Sequence, residues 1–210
     1  MPPEFRYSPA RSGNTTGSHI PPSPAQSVHG RRNSTHSGQF VNDYVSKVAV
    51  YEQLQGSLRP LIRGQTDFLA NISNFAALLF NSLPNLNWAG FYLLRGTDLV
   101  LGPFQGKPAC SCIAIGDGVC GTAALQRAAV LVPDVHAFPG HIVCDEASQS
   151  EMVLPVFKEG RLVGVLDLDS PLPARFDEID RDCIQQLLQT LMDGTMVPEF
   201  RLAPPTQSRR

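Results

Sequence analysis

The sequence has few charged residues, few cysteines and no long apolar run. Only 17% of its 210 residues are charged, and five cysteines are too few, and an odd number, for a secreted disulfide scaffold. Its apolar stretches, such as 75–80, fall far short of the ~18 residues that a membrane-spanning helix needs. These absences exclude an integral membrane protein and, with a polar N-terminus, predict reduced thiols in the cytoplasm.

Motifs of two enzyme classes are also missing. The sequence contains no G-x-S-x-G nucleophile elbow, so a serine hydrolase is not expected. It contains no G-x-x-x-x-G-K-S/T loop, so a nucleotide-phosphate site has no support. After residue 40 the chain carries 13 bases and 18 acids, and this acidic balance argues against nucleic acid as a partner.

The first forty residues differ from the rest in composition. They hold seven Ser, three Thr, six Pro and four Gly, with four Arg against the single acid Glu4. Such a segment cannot bury enough apolar surface to offset the entropy of ordering, so we expect a disordered tail over 1–40. An organelle transit peptide is the alternative, although Glu4 and the prolines disfavour its amphipathic helix. The domain is expected over 41–192 and a C-terminal tail over 193–210.

The two ends of the chain share a short sequence. Residues 1–9 and 196–204 agree at six of nine positions, including P-E-F-R. One pair of matches is not a repeat architecture, which shows a sustained period. Coincidence is one interpretation, and binding of both segments in equivalent grooves, for example across a dimer, is the other.

Hydrophobic periodicity between these tails predicts helices around a sheet. Helical spacing of apolar residues indicates helices near 51–61 and 68–79, the second ended by Pro84, and a final helix that begins near Asp177. A short helix is expected over 121–126. Six apolar or alternating runs predict mostly antiparallel strands at 88–94, 99–101, 112–115, 130–132, 152–157 and 162–168. The fold class is therefore α+β, a layer of helices on a sheet.

The cysteines are the first candidates for chemistry. Cys183 has core-facing spacing in the final helix and is expected to be a small buried hydrophobe. The spacings of the others, with His136 and His141 ahead of Cys144, do not match the paired knuckles of a zinc site, so no metal is expected. Thiol redox chemistry fits better, because a disulfide needs only spatial proximity. The four cysteines in turn-rich segments are Cys110, Cys112, Cys120 and Cys144.

Two acids near the end of the last predicted strand are the second candidates. Asp167 and Asp169 alternate with leucines, so both carboxylates lie on one face. The preceding L-V-G-V-L is apolar on both faces, which indicates a central strand. Paired carboxylates there cost stability unless they meet a cation, donors or a shared proton, so they indicate a site. Trp88, Phe91 and Tyr92 offer aromatic walls for a small ligand, with core packing as the alternative.

Five segments together resemble the free methionine-(R)-sulfoxide reductases, small enzymes of GAF fold. They are N-W-A-G-F-Y from residue 87, L-G-P-F-Q-G-K-P-A-C from 101, G-D-G-V-C-G-T-A from 116, D-V-H-A-F-P-G-H-I-V-C-D-E-A-S-Q-S-E from 134 and G-V-L-D-L-D-S from 164. The resemblance covers about 45–192, in order. It implies a GAF-like domain that reduces free L-methionine (R)-sulfoxide through a cysteine sulfenic acid and an intramolecular disulfide.

The resemblance also implies roles for individual residues. Cys144 is the expected nucleophile, with Cys110 and Cys120 as resolving thiols whose order stays open. Cys112 departs from the family pattern and is expected to be inert. The implied substrate contacts are Trp88, Tyr92, Glu151, Asp167 and Asp169, where one or more acids hold the ammonium or protonate the sulfoxide oxygen. From helix electrostatics, the amides over 116–120 suit the substrate carboxylate.

Partners follow from the same resemblance. A thioredoxin-like dithiol protein is the expected reductant, no cofactor is expected, and a homodimer through the terminal helices is plausible for a GAF domain. The alternative functions are a GAF module that senses a small ligand without catalysis and a generic thiol redox switch.

Overall fold

The computed structural model describes residues 35–198, and the N-terminal P-E-F-R segment lies outside this range. Four helices and six strands fall where the sequence predicts them, so the α+β fold is confirmed. The elements are α1 (Thr35–Ile62), α2 (Phe68–Ser82), β1 (Trp88–Arg95), β2 (Asp98–Gly106), β3 (Cys112–Ala114), α3 (Gly118–Gln126), β4 (Val130–Val132), a 3-10 turn (Val135–Ala137), β5 (Ser150–Lys158), β6 (Arg161–Ser170) and α4 (Glu178–Asp193).

The six strands form one sheet in the order β3-β2-β1-β6-β5-β4, and every neighbouring pair is antiparallel. The central position predicted for the strand with the paired aspartates is confirmed, because β6 lies between β1 and β5. Glu159 and Gly160 connect β5 to β6 with φ angles of 52° and 73°. Two positive φ angles are what a two-residue hairpin turn of type I′ requires.

Strand alternation divides the residues of the sheet between two clusters. Leu166 and Leu168 of β6 belong to the larger core, which α1, α2 and α4 complete. Val165 of the same strand packs instead with Tyr92 and with residues of α3. Because successive side chains point to opposite faces, Asp167 and Asp169 lie on the α3 side of the sheet. The helical layer thus supplies stability on one face and leaves the other for the candidate site.

A buried carboxylate joins α1 to α4. The Asp180 side chain is 0% exposed and accepts hydrogen bonds from the Tyr51 hydroxyl and from Lys47 Nζ, both at 2.6 Å. Cys183, one turn further along α4, is half-buried rather than fully buried. The buried face of α4 runs through Ile184 and Leu187, so the predicted core position of Cys183 is corrected to the edge of the core.

The folded unit extends past both expected boundaries. Helix α1 begins at Thr35, so the boundary predicted between residues 40 and 41 falls inside it. At the other end Thr195 is buried and accepts a hydrogen bond from Asn71 Nδ2 at 2.9 Å, and the Met196 amide donates to the Thr66 carbonyl. The predicted disorder of 1–34 and most of the predicted C-terminal tail lie outside the described residues. Within 35–198, no helix has the length and apolarity needed to cross a membrane.

Candidate active site

Strand register brings the three predicted acids together. Asp169 of β6 pairs with Trp88 of β1 on one side and with Glu151 of β5 on the other. Asp167 lies two residues earlier on the same face, between Gly90 and Val153. A Cβ at Gly90 would clash with Trp88 and Phe104, so glycine is required there for the indole to lie over the strand.

Burial and mutual repulsion raise the pKa values of these three acids. Burial, followed by the charge of Asp169, raises the pKa of Glu151 well above its ordinary value. Burial, followed by the charge of Glu151, does the same for the pKa of Asp167, and burial with the charge of Asp167 does so for the pKa of Asp169. Asp167 Oδ1 is buried without a hydrogen-bond partner among residues 35–198. The raised pKa values favour protonated carboxyl groups, which can donate a proton.

His141 contacts this cluster, and the sequence did not assign it a role. Its Nε2 atom lies 3.5 Å from Oε2 of Glu151, and its side chain is 12% exposed. Burial lowers the pKa of His141 and raises that of Glu151, so both shifts favour neutral forms and the contact is not an ion pair. The other histidine considered with it, His136, is exposed.

Two of the four candidate thiols meet at the entrance of the site. The Cys144 thiol donates to Cys110 Sγ at 2.9 Å, and both cysteines are free. Partial burial of the Cys144 sulfur, followed by this hydrogen bond, raises the pKa of Cys144 to about 12. Cys120 is only 3% exposed, and burial, followed by the charge of Asp167, raises its pKa well above the ordinary value. Cys112 is exposed on the edge strand β3.

The two predicted aromatic residues are buried and position the loop that carries Cys110. Trp88 Nε1 donates to the Lys107 carbonyl at 3.1 Å, and the Tyr92 hydroxyl donates to the Cys110 carbonyl at 3.0 Å. Their rings stack with centroids 5.9 Å apart. They therefore line the pocket and also fix the backbone on which Cys110 lies.

An ion pair joins the Cys110 loop to the Cys144 loop. Lys107 Nζ lies 3.0 Å from Asp145 Oδ1, and Asp145 also accepts hydrogen bonds from the Ala147 amide and from Asn87 Nδ2. These bonds lower the pKa of Asp145, with the Ala147 amide as the first cause and Lys107 as the second. The position of Asp145 directly after Cys144 was the available sequence signal, but the pairing with Lys107 required the fold.

The start of α3 forms the third wall. Asp117 occupies the N-cap but makes no side-chain cap bond, so the first amides of the helix have no partner from that side chain. Gly116, Gly118 and Gly121 have the G-x-G-x-x-G spacing of a dinucleotide fingerprint. They follow the antiparallel edge strand β3 and not the first strand of a βαβ unit, so the match carries no dinucleotide site.

These walls enclose one cavity of about 30 Å³. Its lining includes all the predicted acids, the two aromatic residues, the start of α3 and the loop of Cys144. All three thiols of the predicted trio are in this region, since Cys120 and Cys144 line the cavity and Cys110 contacts Cys144. Cys112 is not among the lining residues, and its inertness stays a prediction.

Comparison with known proteins finds matches over the region that contains these site residues. The GAF domain family matches residues 70–193. "Protein YtsP" of Bacillus subtilis is 53% identical over 67% of this chain and 88% of its own length. "Free methionine-R-sulfoxide reductase" of Escherichia coli is 47% identical over 70% of this chain and 89% of its own. The structure of the Neisseria meningitidis free methionine-R-sulfoxide reductase with its substrate is 41% identical, with a TM-score of 0.68 over 70% of this chain and 89% of that one.

Proposed function

This chain belongs to the free methionine-(R)-sulfoxide reductases of the GAF-domain family and is an oxidoreductase, and we propose that it reduces the free amino acid through a cysteine sulfenic acid and an intramolecular disulfide. The observation that supports the mechanism is that Cys144 and three buried carboxyl groups with raised pKa values line one cavity, with Cys110 in contact with Cys144. This convergence of reactive groups favours catalysis over the sensing of a small ligand.

Both charged ends of the substrate find complementary groups. The acids on the strands accept the ammonium, and the start of α3 offers backbone amides and a positive dipole end to the carboxylate. Trp88 and Tyr92 enclose the methyl-sulfoxide end. A methionine sulfoxide inside a polypeptide lacks both charges, so the same walls exclude it. The loop of Cys144 lines this cavity of about 30 Å³, and we expect the loop to move outward when an amino acid enters.

The first step transfers oxygen. The Cys144 sulfur attacks the sulfoxide sulfur while a carboxyl group protonates the sulfoxide oxygen. The bond between the two sulfurs then breaks as the oxygen moves to Cys144, which leaves methionine and a sulfenic acid. Methionine sulfoxide gains two electrons, and the Cys144 sulfur loses them.

The raised pKa of Cys144 makes this step dependent on substrate. Without substrate, burial and the hydrogen bond with Cys110 raise the pKa of Cys144 to about 12, which favours the thiol. The ammonium of methionine sulfoxide adds a positive charge beside the acids, which favours the thiolate, the reactive form of cysteine. The free enzyme is thereby protected from unproductive oxidation.

Cys110 is the thiol placed to resolve the sulfenic acid. Its sulfur is already in contact with Cys144, whereas Cys120 is buried beside Asp167. Attack by Cys110 forms the disulfide and releases water. A thioredoxin-like dithiol then reduces the disulfide, which requires a reducing compartment such as the cytosol. Homodimerisation through the terminal helices stays a prediction.

The proposed function is tested by turnover with a dithiol reductant. The R epimer of free methionine sulfoxide should be reduced to methionine, and the R epimer in an internal position of a peptide should not. The S epimer is the control for stereochemistry. Reduction of none of these compounds would leave the sensor function as the better interpretation.

The ion pair of Lys107 with Asp145 should set the rate of resolution. Lys107→Met removes the contact between the two cysteine loops, so Cys110 spends less time against Cys144 and disulfide formation should slow by about tenfold, within the range that misplacement of a reacting group produces. Trapping of sulfenic acid with a dimedone-type reagent after one turnover measures this accumulation. Lys107→Arg should restore resolution, while equal trapping in wild type and Lys107→Met would refute the positioning role.

A further inference from the structure

Four side chains in the cavity form a set of donors that the reductase mechanism does not use together. Cys120 Sγ, one oxygen of Glu151 and one of Asp167 all lie within 4.8 Å of one another, and all three residues are buried. Nε2 of His141 lies 3.5 Å from Glu151 Oε2. Sulfur, two carboxylate oxygens and an imidazole nitrogen are ligand types of zinc.

A second observation is that one buried oxygen of the cluster has no hydrogen-bond partner among the described residues. Asp167 is 7% exposed, and its Oδ1 atom has no hydrogen-bond partner among the described residues. A buried acceptor without a partner costs stability, so a ligand that contacts it is favoured. The adjoining cavity of about 30 Å³ has room for an ion and about one water.

We propose that Cys120, Glu151, Asp167 and His141 bind Zn²⁺ and that the ion is a reversible inhibitor, not a cofactor. Tetrahedral zinc places its ligand atoms about 3.3 to 3.8 Å apart, given bonds of about 2.0 to 2.3 Å. Three of the atoms are within 4.8 Å, so small side-chain rotations close the shell. On binding, the Cys120 thiol and the carboxyl groups of Glu151 and Asp167 release their protons to solvent, and no electrons are transferred.

Inhibition follows from shared residues and rests on the proposed function. The acids that hold the ammonium of methionine sulfoxide are those that hold the ion, so the two ligands exclude each other. An ammonium gains little from a thiol, whereas zinc gains a strong ligand from Cys120. Zinc should therefore raise the KM for methionine sulfoxide without changing kcat.

Co²⁺, which absorbs when bound to a thiolate, tests the site in the reduced full-length protein without activity as the readout. Titration with Co²⁺ should produce a thiolate-to-metal charge-transfer band that saturates at one equivalent of metal. Added Zn²⁺ should abolish this band. Cys120→Ser should lose the band. The double variant Cys110→Ser, Cys144→Ser removes the thiols at the entrance and should keep it. Loss of the band in the double variant with retention in Cys120→Ser would place the ion at the entrance and overturn the proposal.

A second pair of measurements separates misfolding and failed catalysis from absence of the site. Because Cys120 is buried, its replacement can disturb packing, so Asp167→Asn is measured as well and should weaken Co²⁺ binding by at least about tenfold. Exposed Glu146, in the loop of Cys144, is the control, and Glu146→Gln should bind as wild type does. Turnover in buffer with a chelator tests the reductase independently of metal. Absence of any Co²⁺ band in an active wild-type protein would overturn the zinc site alone.

Discussion

Cys144→Ser is expected to lose at least about a thousandfold in kcat/KM, because the serine hydroxyl does not replace the thiol as nucleophile toward sulfur. Loss of a nucleophile has effects of this size or larger, and a thousandfold corresponds to about 4 kcal/mol in the activation barrier. Substrate binding should persist, since the carboxyl groups, the aromatic walls and the start of α3 are unchanged. Steady-state turnover gives kcat/KM, and calorimetry with methionine sulfoxide gives the binding constant.

Two other cysteines provide matched controls. Cys112→Ser should retain wild-type turnover, because Cys112 is exposed on the edge strand and does not line the cavity. Cys110→Ser should complete one turnover and then stop with a sulfenic acid on Cys144, because the adjacent resolving thiol is gone. Near-normal multiple turnover by Cys144→Ser would show that another thiol is the nucleophile.

Glu151→Gln is expected to lower kcat by about 100-fold to 10,000-fold, the range for loss of a positioned general acid. Among the three acids, Glu151 pairs with Asp169 across the strands and contacts His141, which can return a proton from the protein surface. Glutamine keeps the size of the side chain but has no acidic proton. The measurement is kcat for wild type and variant at saturating methionine sulfoxide, and Glu146→Gln is the control for loss of an acidic side chain nearby.

The role of Glu151 as a general acid also predicts the direction in which activity changes with pH. A general acid works only when protonated, so wild-type activity should fall as the pH rises through the raised pKa of Glu151. Because that pKa is well above the ordinary carboxyl value, the enzyme should remain active above the pH at which exposed carboxyl groups ionise. The falling limb should be absent in Glu151→Gln. If Glu151→Gln kept wild-type kcat and the same falling limb, the proton donor would be Asp167 or Asp169 and not Glu151.

Much of the fold was predictable because its rules are local. The period of two over Leu166 to Asp169 separated core from site, and the apolar L-V-G-V-L indicated a central strand before the sheet was known. Cys183 was misplaced for a related reason. Helical spacing gives the phase of a helix only to within about one residue, and it does not show which residues a neighbouring helix covers. Likewise, the apolar run that contains Cys112 did not indicate that this strand lies at the edge of the sheet.

The sequence by itself determined the family and the strand face that carries Asp167 and Asp169, and it predicted the trio of cysteines, because motifs and alternation depend on residues close together along the chain. Tertiary structure alone decided which groups touch. It placed Cys110 against Cys144, joined Lys107 to Asp145 and brought Cys120, His141 and two carboxyl groups into one buried cluster. These partners are far apart in sequence, and only the pairing of β1, β6 and β5 brings them within a few ångströms. Burial then sets their protonation, and protonation depends on neighbours that spacing does not reveal.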